Sequence, residues 1–214
     1  MQETLRLTEI FHSLQGESSS VGIPTVFIRL TGCPLRCQYC DTAYAFSGGK
    51  LTAIDAIIQQ VKTYECPYIC VTGGEPLAQP NCHKLLNMLC DLGYHVSLET
   101  SGAIDIQPVD NRVRVIMDLK TPDSKECDKN RYDNIEHLKP LDEVKFVLCS
   151  QDDYRWAKEM MKTYALDKRC HVLFSPSYTE LKPQTLADWI VEDKLPVRFQ
   201  LQLHKILWND APGH

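Results

Sequence analysis

The amino-acid sequence predicts an α/β fold built on one mainly parallel sheet. Short β-branched and aromatic runs alternate with segments whose apolar residues recur every three or four positions. That is the pattern of right-handed βαβ crossovers. No internal repeat or linker-like tract breaks the chain, so residues 1–214 are expected to form one domain. The most distinctive residues also fall just after successive strands, where open α/β sheets and barrels gather their chemistry.

The elements follow in order. Residues 24–30 (PTVFIRL), bounded by Gly22 and Gly32, read as a strand. Ile54, Ile57, Ile58 and Val61 form a helical stripe, with Thr52 and Asp55 as its capping pair. Residues 68–72 make a short buried strand that runs into Gly73-Gly74. Leu85, Met88, Leu89 and Leu92 repeat the stripe, and Gly93 stands where a helix C-terminus favours glycine. Strands follow at 95–99, 112–118 and 144–148. Ser150 and Asp153 cap a helix with Ala157, Met160, Met161 and Tyr164 on one face. Residues 171–174 are strand-like, 186–191 helical, and 197–203 a final strand. Cys33, Gly73-Gly74, Thr100-Ser101-Gly102 and Lys120 each follow a strand, so one rim is expected to hold one active site.

Composition narrows the class. With 43% hydrophobic and 24% charged residues, the 214-residue chain has the balance of a globular domain. A net charge of −5 without clustered Lys and Arg argues against a nucleic-acid or anionic-membrane partner. Glu3 and Glu9 stand where a signal peptide would be basic, and no stretch approaches a membrane span in apolar length. A cytoplasmic location is therefore expected. In a reducing compartment the ten cysteines read as metal ligands, catalytic thiols or core filler.

Three of them are crowded into Cys33-Pro-Leu-Arg-Cys37-Gln-Tyr-Cys40. Thiolates are soft donors that suit iron, and a loop of this length can wrap a [4Fe–4S] cube. Three protein ligands leave the fourth iron open to a small molecule. A structural zinc site would need another Cys or His at finger-like spacing, and the next after Cys40 is Cys66. Such density between Gly32 and Pro34 onward also argues against unrelated core thiols.

This loop, with Tyr39 before its last cysteine, resembles the radical S-adenosylmethionine superfamily, and Val71-Thr-Gly-Gly-Glu-Pro76 resembles that superfamily's GGEP motif. The resemblance implies a partial TIM-like barrel, a cluster on Cys33, Cys37 and Cys40, and S-adenosylmethionine (SAM) chelating the open iron. Gly73, Gly74 and Glu75 would hold its amine, and Tyr39 would lie against its adenine beside Cys40 and Asp41. Gly102 would allow close approach of backbone to the cofactor, and Asp118, Leu119 and Lys120 would line it.

Longer words are more specific. Ser13-Leu-Gln-Gly-Glu17, Gly32-Cys-Pro-Leu-Arg-Cys37, Tyr39-Cys-Asp-Thr42, Leu98-Glu-Thr-Ser-Gly102, Asp118-Leu-Lys-Thr-Pro122, Asp142-Glu-Val-Lys-Phe-Val147 and Gln202-Leu-His-Lys205 resemble the 7-carboxy-7-deazaguanine synthases. Residues 22–30 do so too, and the likeness runs nearly end to end. It implies ring contraction of 6-carboxy-5,6,7,8-tetrahydropterin with loss of ammonia, on the path to queuosine. A 5′-deoxyadenosyl radical would take hydrogen from C6 and later regain it. Leu14, Gln15 and Gly16 would bond the pterin edge, assisted by Glu17, and Thr100 would touch substrate. Arg29 would pair with the substrate carboxylate, a task suited to its bidentate fork. Thr42 would ligate Mg²⁺. Gln202 and His204, on the last strand, would close the pocket; whether the tail also reaches the substrate, through Pro212 or its neighbours, stays open. The resemblance also implies a homodimer and an electron donor such as flavodoxin.

Bland alternatives stand beside these roles. Arg29 could be a surface strand residue, Thr42 a turn cap beside Asp41, and His204 a structural group. The family commonly has Gly where this chain has Ser18. Cys66, Cys70, Cys82, Cys90, Cys127, Cys149 and Cys170 read as core or surface thiols. An auxiliary cluster on Cys66 and Cys70 is rejected, because no further cysteine-rich C-terminal region follows. A glycyl-radical activase and a non-enzymatic zinc module are the competing classes.

Overall fold

Short apolar strands, several of them buried along most of their length, build the sheet in the computed structural model, which describes residues 3–209, 211 and 213. Its strands are β1 (Thr4–Leu14), β2 (Pro24–Leu30), β3 (Lys50–Ala53), β4 (Tyr68–Gly73), β5 (His95–Thr100), β6 (Arg114–Asp118), β7 (Glu143–Leu148), β8 (His171–Pro176) and β9 (Arg198–Phe199). They form a nine-stranded sheet in the order β3-β1-β2-β4-β5-β6-β7-β8-β9. β1 runs antiparallel to β2 and β3, and all other pairings are parallel. The expected mixed, mainly parallel α/β architecture is present.

The outer face of the sheet is apolar. Ile28, Val71, Leu98 and Phe146 pack there against α1 (Ile54–Lys62), α2 (Cys82–Asp91), α3 (Gln151–Tyr164) and α5 (Pro183–Glu192) in one hydrophobic cluster. A short α4 (Leu166–Arg169) precedes β8, and α6 (Leu203–Trp208) ends the fold. Each strand residue between those apolar ones points the other way. That inner face carries Arg29, Thr72, Glu99, Asp118 and Lys145, all of which line one cavity. Among the described residues no helix is long and apolar enough to cross a membrane.

Several local expectations hold. Ser150 caps α3 by accepting from the Asp153 N–H at 3.2 Å, and Gly93 takes φ +86° just past α2. Cys66, Cys70, Cys82, Cys90, Cys149 and Cys170 are buried, as core filler should be.

Others are corrected. β1 escaped notice because its register on β2 shifts between Leu7 and Glu9, which changes the phase of its alternation. The strand expected over 197–203 shrinks to Arg198–Phe199. Gln202 and His204 are therefore not on a strand: the backbone turns, Leu203 donates to the Gly16 carbonyl, and α6 begins. Thr52 does not cap α1. It lies in β3 with its hydroxyl on the Lys50 carbonyl, and Ala53 occupies the N-cap position. The connections from β5 to β6 and from β6 to β7 contain no α-helix, only turns and 3₁₀ segments. Ser18 adopts φ +66°, a conformation that suits the glycine usual there, and its hydroxyl accepts from the Ser20 N–H.

Buried Asp153 fixes the end of the sheet nearest the cavity. Its carboxylate accepts from the Cys149 N–H, the Asp123 N–H and the Thr121 hydroxyl, at 2.9, 3.0 and 2.9 Å. Asp153→Ala strands these donors and is expected to cost about 2–4 kcal/mol. A urea midpoint unchanged from the parent would contradict that assignment.

Candidate active site

The inner face of the open barrel encloses a cavity of about 610 Å³, within the usual range for small-molecule sites. Cys33, Cys37 and Cys40 all line it, on the loop that leaves β2. That loop is held by its neighbours rather than by regular structure. Gly32 N–H donates to the Ala45 carbonyl, Gln38 N–H to that of Ser124, and Arg36 N–H to the Glu126 carboxylate. The Arg36 guanidinium turns back onto the Cys33 and Leu35 carbonyls and lies 4.3 Å over the Phe46 ring. All three thiols remain half-exposed. Burial pushes the Cys37 thiol up to about 11, with Lys120 opposing that rise.

The turn after β4 fits against this loop only because it lacks side chains. A Cβ on Gly73, at φ +151°, would strike the Leu30 carbonyl, and one on Gly74 would lie 2.9 Å from Cys33 Cβ. Gly74 and Glu75 N–H groups then donate to the Leu30 and Gly32 carbonyls at 3.1 and 2.7 Å. Glu75 is fully buried beneath the cavity, and its carboxylate is occupied by Leu77, Thr100 and Ser101. Thr100 lines the cavity beside it.

Lys120 and Asp118 form an ion pair at 3.0 Å, with the Lys120 ammonium 5.8 Å from the Tyr39 ring centre. Burial disfavours the charge on Lys120, but Asp118 and the nearby thiols outweigh it and hold the amine above the ordinary lysine range. Asp118 Oδ1 and the Tyr39 hydroxyl are buried without a partner among the described residues. Buried polar atoms are normally satisfied, so this wall is built for a polar guest. Gly102 (φ +74°) lies behind it, with room for a Cβ no better than 3.1 Å from Met117. The Leu119 side chain is in the core and does not line the cavity.

The opposite wall combines Leu14, Gln15, Gly16 and Glu17 with Arg29. Arg29 is not a surface residue. Its side chain is 15% exposed, Nε donates to Glu9 at 2.7 Å, and its guanidinium lies 5.6 and 5.7 Å from the Phe11 and Tyr44 rings. Phe11 stacks on Phe27 at 4.9 Å to form an apolar floor. Gln15 donates weakly to Glu99, whose other oxygen accepts from Thr72 at 2.9 Å.

α6 closes the mouth. A Cβ on Gly16 would collide with His204, which puts that ring directly against the Gln15–Glu17 turn. Gln202 donates to both Glu17 and Asp41, at 2.8 and 2.9 Å, and Lys205 reaches Asp41 at 3.1 Å. Burial acts to raise the Asp41 carboxyl, but Lys205, Thr42 and Gln202 overcome it and hold the group well below the usual range. Thr42 lines the cavity and starts a 3₁₀ turn, yet its hydroxyl donates to Asp41 and makes no cap. Pro212 lies outside the described residues, although Ala211 and Gly213 line the cavity.

Sequence reasoning missed Glu99, Lys145 and Lys205. The first two were within reach of a simple signal: each sits between core residues of a strand, and so must face inward. Among the described residues, no three Cys, His, Asp or Glu side chains are already gathered as a metal site. The fit to an iron–sulfur cluster rests on donor chemistry: three soft thiols on one cavity, with a cation beside them.

The family follows from comparison with known proteins. The Radical SAM superfamily model matches residues 27–163. The chain is 43% identical to the 7-carboxy-7-deazaguanine synthase of Chlorobaculum tepidum, over 98% of this chain and 97% of that one. It is 40% identical to that of Koribacter versatilis over 96% and 97%, and 34% to that of Thermoplasma acidophilum over 97% and 99%. The crystal structure of QueE from Escherichia coli has the same fold, with a TM-score of 0.79 at 20% identity, covering 94% of this chain and 95% of that one.

Gly74→Ala tests the turn. The added methyl must displace the Gly32 backbone and with it Cys33, so iron and sulfide retained after reconstitution are expected to fall to less than about half with the domain still folded. Full cluster content in this variant would show that the loop tolerates the displacement.

Proposed function

The chain belongs to the 7-carboxy-7-deazaguanine synthases of the radical SAM superfamily, and from that membership we propose how its residues carry out the reaction. The enzyme makes 7-carboxy-7-deazaguanine in queuosine biosynthesis. The family uses a [4Fe–4S] cluster and SAM. Our reading takes 6-carboxy-5,6,7,8-tetrahydropterin as substrate and ammonia as the second product. The observation that carries it is the meeting, in one cavity, of the three-thiol loop with an arginine-bearing polar wall.

Cys33, Cys37 and Cys40 would hold the cluster, leaving one iron for SAM. When bound, the pair supplies a hydrogen-abstracting radical by one-electron cleavage of the sulfonium. Everything else is positioning. The Gly73-Gly74 backbone would hold the cofactor, with Tyr39, Asp41, Asp118 and Lys120 as its other contacts. Glu75 serves this arrangement indirectly, because its oxygens brace Thr100 and Ser101. Gly102 keeps the backbone there in its left-handed turn.

Arg29 would pair with the substrate carboxylate. Glu9 and two aromatic rings fix the plane of its guanidinium before substrate arrives, which lowers the ordering cost of a bidentate contact. The Gln15-Gly16-Glu17 turn would meet the donor and acceptor edge of the pterin, with Leu14, Thr100 and His204 completing the wall. Gln202 would support Glu17 rather than touch substrate, since its amide already bridges Glu17 and Asp41. Thr42 would contribute a hydroxyl to Mg²⁺ at the mouth, with substrate oxygens and water completing the octahedron. A flavodoxin-like electron donor and a homodimer complete the reading.

The direct test is anaerobic incubation of reconstituted enzyme with 6-carboxytetrahydropterin, SAM and a reductant. The deazaguanine chromophore should appear; SAM cleavage without it would point to another radical enzyme. Cys37→Ala should lose the cluster and turnover without unfolding, and activity retained there would remove Cys37 from the ligand set. Thr42→Ala should raise the Mg²⁺ concentration for half-maximal rate about tenfold. An unaltered Mg²⁺ response would leave Thr42 as a turn residue.

A further inference from the structure

The sequence word Asp142-Glu-Val-Lys-Phe-Val147 runs into β7. The fold sorts its charged members by location. Asp142 and Glu143 are fully buried braces: Asp142 accepts from the Val115 and Lys139 N–H groups, and Glu143 from that of Ser19. Lys145 points into the cavity. Its Nζ lies 2.7 Å from Glu17 Oε2 and 3.5 Å from Asp118 Oδ2, and its side chain is 13% exposed. The register dictates the second contact, because Asp118 and Lys145 are paired across β6 and β7.

Glu17 needs such a partner. It stands at the end of a short turn with Glu99 and Asp118 on the same cavity, so its conformation is set by like charges as well as by the turn. Gln202 holds its other oxygen but brings no charge. Arg29 is engaged by Glu9, and Lys120 by Asp118. Lys145 brings a full positive charge to Glu17.

We propose that Lys145 is a positioning residue of the substrate site: anchored by Asp118, its ammonium holds the Glu17 carboxylate in the orientation that meets the pterin edge. The claim rests on the pterin-synthase reading and deepens it. Lys145 acts through Glu17, so its removal should weaken pterin binding and spare SAM, whose wall keeps the Asp118–Lys120 pair.

The test measures binding, not turnover. 6-Carboxypterin, a fluorescent oxidised analogue, is titrated into cluster-reconstituted enzyme in the presence of SAM, and SAM is measured separately by equilibrium dialysis. Lys145→Met should raise the Kd for the pterin about 30-fold and change that for SAM by less than about threefold. Lys145→Arg should recover most of the affinity. In the double variant Glu17→Gln/Lys145→Met, the loss should match that of Glu17→Gln alone, because the second change removes nothing further. Parental pterin affinity in Lys145→Met, or multiplying losses in the double variant, would overturn the assignment. If Lys145→Met does not fold, the double variant still decides, since it deletes both charges of the pair together. Failure of the parent enzyme to bind the analogue would count against the pterin reading itself.

Discussion

The site depends on a backbone contact. Residues 73–75 approach the end of β2 so closely that Gly73 and Gly74 admit no side chain, and the N–H groups of Gly74 and Glu75 lock onto Leu30 and Gly32, where the strand gives way to the cysteine loop. Two segments far apart in sequence are thereby fixed against each other on one side of the cavity. A side chain at either glycine would separate them, which no rearrangement at the surface could repair.

Around that contact, a single alternation separates stability from chemistry. Outward residues of the strands join the helices in one apolar cluster, while inward ones carry charge. The cations around the cavity are each paired: Arg29 with Glu9, Lys120 with Asp118, Lys145 with Glu17, and Lys205 with Asp41. Buried ions of this kind stabilise little, and breaking one leaves an uncompensated charge. Their value lies in fixed orientation, the main contribution a protein makes when a cofactor supplies the reactive species.

Much of this was legible in the sequence. The parallel strands, the cysteine loop, the glycine turn and the Gln15–Glu17 word were all visible, because each depends on local pattern or on residues whose chemistry is hard to mistake. What stayed hidden depends on long-range pairing. The bulge in β1 erased its period, and the segment after Phe199 reads as a strand until the helix it forms is seen packed on Gly16. Lys145 and Glu99 betray their inward direction through the core residues on either side, but their partners emerge only from the fold: Glu17 and Asp118 for Lys145, Gln15 and Thr72 for Glu99. The bridging role of Gln202 requires two loops separated by most of the chain.

On our proposal Cys33, Cys37 and Cys40 supply ligands to all but one iron, so that SAM would bind the cluster directly. Electron paramagnetic resonance of the anaerobically reduced, reconstituted enzyme tests it most directly. Adding SAM should change the g-values of the cluster signal, and Cys37→Ala should abolish that signal. A [4Fe–4S] spectrum indifferent to SAM, or iron-free protein after careful reconstitution, would contradict the account.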